Sequence, residues 1–324
     1  MKIGITGGTG FIGGHTVEAA VKRGHEVIVL DRATPSVDPI WRPQVEYGTF
    51  LGDVRDEVAM RELAAHVDGI IHLAACLGTQ ETIKHPVPAA ETNVLGGLNF
   101  LDAVAQYGIA GCYIGVGNHW MQNTYSITKT TVERFVQMYN NDRGTHVNIV
   151  RAMNAYGPRQ SVAPPFGSAK VRKIMPSFVC RALTGNPIEL YGGGQQISDM
   201  VYVADVADAL VIMLERSAMK LVAPPVEVGP QDGPNVRGVA EIVADTVAKR
   251  FGTAPVNLVD LPMRPGETPG AVVRADPKSL WPTAKTHEDL LPLHEGVEIT
   301  VDWYASKWVP KFEAQGSALG VTVR

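Results

Sequence analysis

Tyr125-Ser126-Ile127-Thr128-Lys129 sets a phenol and an ammonium at positions i and i+4, which share one face of a helix. An ammonium at that spacing lowers the pKa of the phenol and can hold a ribose hydroxyl. The tyrosine then exchanges a proton with a substrate hydroxyl while hydride moves to or from the neighbouring carbon. The same spacing also occurs on ordinary exposed helix faces, so the surroundings of the pair decide its meaning. A second cluster, Gly7-Gly8-Thr9-Gly10-Phe11-Ile12-Gly13, follows an apolar run directly. Gly7, Gly10 and Gly13 supply glycine where a turn is tight, where backbone approaches a pyrophosphate and where helix meets sheet, and Phe11 and Ile12 open that helix. The helix N-terminus then presents N–H groups and a partial positive charge to phosphate. Asp31, about 20 residues further on, suits the hydroxyls of an adenosine ribose. A carboxylate there repels a 2′-phosphate, which favours NAD over NADP; Arg32 beside it tolerates such a phosphate or stacks on adenine.

These groups need a scaffold that brings them to one edge, and the chain's texture supplies it. Strands are predicted at Lys2–Thr6, Glu26–Leu30, Val45–Tyr47, Gly69–Leu73, Cys112–Val116 and Val147–Arg151, with helices over Gly10–Arg23, Glu57–His66, Val87–Tyr107 and Thr124–Asn141. Alternation of this kind gives βαβ units and a parallel sheet, and runs such as Val27-Ile28-Val29-Leu30 fit strands covered on both faces. The expected fold is α/β: a Rossmann-type doubly wound parallel sheet with a smaller C-terminal α/β substrate lobe. Tyr125 follows the fifth strand, at the carboxyl ends where such folds bind ligands. After Pro158 the segments shorten. Ser161–Ser168 is a loop, helices are expected over Pro176–Leu183 and Asp205–Arg216, and Gly192-Gly193-Gly194 is a break. Residues 1–165, with 199–220 returning to them, form the expected dinucleotide-binding domain; 166–198 and 221–324 are mainly the lobe.

The 324 residues carry a net charge of -4, with 45% hydrophobic and 19% charged residues, an ordinary globular balance without a basic strip for nucleic acid. Cys76, Cys112 and Cys180 are too scattered for a disulfide framework or a zinc site, and no metal is expected. No apolar run approaches the roughly 20 residues that span a bilayer, and no signal peptide is visible, so a soluble cytoplasmic protein is expected.

Further segments join these two clusters. Asp53-Val54 follows the third strand, His72-Leu73-Ala74-Ala75 ends the fourth, and Asn93-Val94-Leu95-Gly96-Gly97 lies in the next helix. Arg151-Ala152-Met153-Asn154-Ala155-Tyr156-Gly157-Pro158-Arg159, Asp199-Met200-Val201-Tyr202-Val203 and Arg264-Pro265-Gly266-Glu267 come later in the same order. With them, the chain resembles an extended short-chain dehydrogenase/reductase of the NAD-dependent epimerase/dehydratase family, similar to the nucleotide-sugar 4-epimerases. The resemblance implies NAD as cofactor and a nucleotide-sugar as substrate. It places Asp53 and Val54 at adenine, Leu73, Ala74, Ala75 and Asn93 beside the cofactor, and Asn154 and Arg264 at the nucleotide diphosphate. Lys173 and Gln196 complete the expected substrate set. Relatives often pair as homodimers through two helices per subunit, here Val87–Tyr107 and Thr124–Asn141; a core-facing role explains their apolar residues equally well.

The chain departs from that pattern twice. Ser198 stands before Asp199 where the family usually has Arg, so one phosphate contact is missing; Lys170, Arg172 or Lys173 replaces it, unless they form a solvated basic face. Relatives also carry a Ser/Thr-rich stretch after the fifth strand, whereas here Gly117-Asn118-His119-Trp120 leads almost at once to Tyr125. Asn118 falls closest to the missing hydroxyl and its amide suits a developing oxyanion; Thr124 is the other candidate. Family dehydratases place an Asp-Glu pair here and decarboxylases a Glu, and neither is present. Epimerisation is therefore expected: Tyr125 removes a hydroxyl proton, hydride passes to NAD, and it returns to the other face of a 4-keto sugar. His119 is expected to contact the substrate or to be structural; a dehydratase using it as acid or base, a net dehydrogenase and a non-catalytic NAD-binding sensor remain the alternatives.

Overall fold

The apolar runs assemble into one parallel sheet in the computed structural model, which describes residues 1–33, 36, 38–276, 279 and 287–318. Its strands are β1 (Lys2–Thr6), β2 (Glu26–Asp31), β3 (Gly48–Leu51), β4 (Gly69–His72), β5 (Ala110–Val116), β6 (Val147–Ala152) and β7 (Val226–Val228). Their spatial order is β7-β6-β5-β4-β1-β2-β3, so the order reverses between β1 and β4. At that reversal the connections leave in opposite directions and open a crevice at the carboxyl ends. Every residue of β4 and β5 is buried, as in strands covered on both faces.

The sheet is covered by α1 (Phe11–Lys22), α2 (Glu57–Ala64), α3 (Gly96–Tyr107), α4 (Thr124–Asp142) and α5 (Val203–Ala218). Val17 of α1 and Leu210 of α5 join Ile3, Ile5 and Ile71 in the core on one face. Met60 of α2, Phe100 of α3 and Val132 of α4 join Leu30, Ile70 and Tyr113 on the other. A third core belongs to the lobe, where the helices Ile174–Leu183, Val236–Phe251 and Leu293–Trp303 enclose Phe178, Val243 and Val301.

Two expectations shift. The third strand is not Val45–Tyr47 but β3, whose register against β2 sets Phe50 beside Leu30 and Leu51 beside Asp31. Val45 and Tyr47 pack half-buried on the core around Val17 instead. The helix expected from Val87 contains a π turn at Glu91–Leu95 before α3 begins. In addition, Val226–Val228, in a segment assigned mainly to the lobe, pairs with β6 in the central sheet.

Candidate active site

One cleft of about 1860 Å³ runs over the carboxyl ends of the strands and under the lobe. At its cofactor end the turn between β1 and α1 has no room for side chains. Gly7 has φ +72°, and a Cβ on it would lie 2.9 Å from the Ala74 nitrogen. A Cβ on Gly13 would lie 2.2 Å from the Gly7 carbonyl oxygen. α1 starts at Gly10 with no side-chain cap and no acidic residue in its first turn, so its leading N–H groups, at Phe11, Ile12 and Gly13, border the cleft. Asp31 closes β2 and accepts from the Thr9 nitrogen at 3.1 Å and the Thr9 hydroxyl at 2.5 Å, which fixes the loop against the carboxylate. Glycines that a Cβ would fill, an uncapped helix start and a carboxylate at a strand end suit a pyrophosphate and an adenosine ribose.

Arg32, Asp53 and Val54 line the same end. Arg32 is largely exposed and comes no nearer than 3.9 Å to Asp53. Arg55, forking onto Asp53 at 2.8 and 3.1 Å, holds that carboxyl below the usual range. Leu73, Ala74 and Ala75 follow β4 along the floor. Asn93 is not a lining residue; from its π turn it bonds both backbone groups of Cys76, at 2.7 and 3.2 Å, and donates to Thr128 of α4 at 2.9 Å. It therefore braces the wall from behind.

The wall that carries the Tyr125/Lys129 pair is built on α4. Asn123 caps this helix by accepting from the Ser126 nitrogen at 3.0 Å, which fixes where the helix starts and turns Ser126, Lys129 and Glu133 inward. Half-buried Tyr125 and buried Lys129 both line the cleft. Burial pushes the Lys129 amine down to about 7, with Glu133 opposing the shift. The Tyr125 phenol is not lowered as the i, i+4 spacing predicts. Burial pushes it up to about 12, and the Lys129 amine lies over the ring of Tyr113 instead.

Asn118 lines the cleft beside them, its amide donating to the Met121 sulfur at 3.4 Å. Thr124, the first residue of α4, does not line it, and neither does His119. The His119 ring lies 3.9 Å from Glu227, at the rim of an ion array in which Arg151 bonds Glu133 at 2.6 Å and Glu227 at 3.1 Å.

Under the lobe, Asn154, Lys173, Gln196 and Arg264 all border the cleft. Arg264 pairs with Glu267, and its guanidinium lies 4.7 Å from the centre of the Tyr191 ring. Burial, with Arg264 nearby, lowers the Lys173 amine, and Glu81 opposes that shift. Arg172 is committed to the Tyr191 hydroxyl at 3.0 Å and to Glu189 at 3.6 Å. Ser198 lines the wall, and Asp199 behind it is fully buried, 3.7 Å from Arg274.

Several lining residues have no local sequence signal. Met153 is wedged between Gly117 and Gly229, where added Cβ atoms would lie 2.3 and 2.4 Å from it, and that glycine pair is its one trace. Lys311, from the helix Val309–Ala318, lines the cleft and pairs with Asp38 across 273 positions of sequence. Among the described residues no cluster of three or more His, Cys, Asp or Glu is arranged for a metal, and no helix is long and apolar enough to cross a membrane.

Against known proteins, a sequence model described as the NAD dependent epimerase/dehydratase family matches residues 3–229. A UDP-N-acetyl-alpha-D-glucosaminuronate decarboxylase of Bacillus cytotoxicus is 29% identical over 265 residues, which cover 73% of this chain and 77% of the relative. A dTDP-glucose 4,6-dehydratase of Mycobacterium tuberculosis is 27% identical over 97% of both chains. The solved structure of Thermus thermophilus UDP-glucose 4-epimerase in complex with NAD superposes with a TM-score of 0.75 at 29% identity, covering 95% of this chain and all of the other. These three similar proteins carry three different reactions.

Proposed function

The chain belongs to the NAD dependent epimerase/dehydratase family, a family of NAD-dependent enzymes acting on nucleotide sugars, and from that premise we propose that it epimerises a UDP-hexose at C4 through a transient 4-keto sugar. One observation carries the choice among the family's reactions. The cleft wall from Ile114 to Lys129 offers Tyr125, Lys129 and Asn118 and no carboxylate, while the His119 ring points into the ion array behind it. Eliminating water or carbon dioxide beside a 4-keto group calls on a further acid or base at this wall; inverting a carbinol centre does not.

In this reading Gly7, Gly10, Gly13 and the start of α1 cradle the cofactor's pyrophosphate, and Asp31 accepts from its ribose. NAD held there would supply a reversible hydride acceptor for C4. Tyr125 takes the C4 hydroxyl proton and later returns it, so the net reaction exchanges neither protons nor electrons with solvent. The Lys129 ammonium stabilises the phenolate that Tyr125 presents before the first transfer and regains after the second. The Asn118 amide donates to the oxygen that alternates between alcohol and ketone. Arg264, Lys173 and Asn154 hold the diphosphate, and Arg264 exchanges Glu267 for phosphate oxygens as substrate enters.

The test is a panel of UDP-, GDP-, dTDP- and CDP-sugars incubated with the protein and NAD+, followed by proton NMR and mass spectrometry. The expected product has unchanged mass and an inverted H4 coupling. Loss of one water or of carbon dioxide makes the chain a dehydratase or a decarboxylase. Accumulating NADH makes it a net dehydrogenase, and tight NAD binding without turnover makes it a sensor.

A further inference from the structure

Lys129 is only 1% exposed, so its amine must find its stabilisation inside the protein. The obvious counter-ion, Glu133 one turn further along α4, is taken: Arg151 of β6 bonds it at 2.6 and 3.0 Å. What lies against the amine is an aromatic face. The Lys129 Nζ stands 4.1 Å from the centre of the Tyr113 ring, and the Tyr113 hydroxyl donates to the backbone carbonyl of Lys129 at 3.2 Å. One fully buried side chain of β5 thus engages the lysine at both ends. We propose that Tyr113 is a positioning residue for Lys129, its ring keeping the buried amine charged and its hydroxyl fixing the turn of α4 that carries it.

The surroundings of the ring fit that task. His72 of β4 stacks on Tyr113 at 5.9 Å and 14°, and on Phe100 of α3 at 5.0 Å and 12°. The Thr6 hydroxyl oxygen accepts from the Leu73 and Ala74 nitrogens and lies 3.0 Å from His72 Nδ1. Burial keeps His72 neutral by lowering its pKa to about 3. No second cation competes for the ring from that side. Of the other ionisable groups on packed elements, Tyr125 shares α4 with the lysine and Arg151 reaches it only through Glu133. Asp102 of α3 is held by Tyr139 and Arg143, and Glu91 lies at the surface 3.6 Å from Arg55. A ring favours an ammonium over an amine without contributing a charge of its own, and desolvation strengthens that preference. A carboxylate in direct contact would instead anchor the ammonium away from a ribose or a phenolate.

The inference rests on Lys129 as the ammonium of the proposed site, and its test needs no turnover. Protein labelled with ¹³C at the lysine Cε is titrated by NMR, the Lys129 signal being assigned with Lys129→Met. Tyr113 is replaced in turn by Phe, 3,5-difluorophenylalanine and 3,4,5-trifluorophenylalanine, a series that withdraws charge from the ring face at nearly constant shape. The expected result is a Lys129 midpoint that falls stepwise, by about one pH unit from Phe to the trifluoro ring. Tyr113→Phe, which keeps the ring, should titrate close to wild type. A common midpoint across the folded fluorinated series would overturn the proposal, whatever the sugar panel gives. Tyr113→Leu, if it folds, must titrate at or below the trifluoro variant; a wild-type midpoint there overturns it as well.

Discussion

A buried amine is a stability statement as well as a chemical one. Lys129 has its pKa lowered from 10.5 to about 7 by burial, so between those values the unfolded chain holds a proton that the folded chain has released. Stability owed to this group therefore rises with pH across that window and is flat below it. Lys129→Met should be more stable than wild type by a constant margin below pH 7, on the order of a few kcal/mol, and the margin should shrink towards pH 10.5. Urea midpoints of both proteins, measured along a pH series, check this; a margin that does not change with pH would contradict it. The types and spacing of single residues show the chemistry here more readily than the direction each side chain faces. That Tyr125, Lys129, the three loop glycines and Asp31 line one cleft was legible because each stands at a short interval from a strand end. Whether Thr124, His119 and Asn93 face the cleft depends on the Asn123 cap, the Glu227–Arg151 array and a π turn, none of which has a local signature. Tyr113 was invisible for the same reason: in sequence it is one more apolar residue of β5.

Elements were legible wherever a periodic pattern met a physical stop. β1 matches its expected bounds, and α1 and α4 fall within a residue or so of theirs because a glycine and an asparagine cap define their starts. β3 was misplaced because an edge strand is fixed by its register against β2, and the half-buried Val45 and Tyr47 imitate a strand without pairing as one. The β1–α1 junction yields a prediction with its control built in. A Cβ at Gly13 would lie 2.2 Å from the Gly7 oxygen, a backbone atom that cannot yield without opening the turn. At Gly14, the next residue of α1, the nearest atom would be a Pro43 ring carbon at an ordinary 3.5 Å. Gly13→Ala should weaken NAD+ binding at least about tenfold and lower the melting temperature, since the junction serves packing and pyrophosphate approach together. Gly14→Ala should bind NAD+ as wild type does and gain up to about 1 kcal/mol from helix propensity. Calorimetric titration and thermal melts of the two variants separate these outcomes, and equal effects would mean that the turn relaxes more freely than its geometry allows.

At the scale of the whole molecule, the sheet and the lobe each have a core of their own, and the cleft is lined by residues of both. The same distinction between inward and outward faces bears on self-association. From sequence alone, the apolar residues of the helices around 87–107 and 124–142 serve a core and a partner equally well. The structure separates them: Phe100, Val104, Val132 and Val136 are buried against the sheet, whereas Val87, Leu95 and Ile127 are exposed by 66, 44 and 49%. These outward residues sit on α4 and on the helical stretch packed beside it, and each costs free energy if left in water. We therefore expect a homodimer with this face at its centre. Light scattering behind a sizing column should give about twice the 34.8 kDa chain mass at micromolar concentration. The double variant Leu95→Glu with Ile127→Glu should run at the chain mass, because two carboxylates per protomer would then oppose their own copies across a two-fold axis. Neither residue lines the cleft, so NAD+ affinity should survive in that variant. A wild-type chain that stays monomeric would leave this face to another partner, and a variant that stays dimeric would move the interface elsewhere.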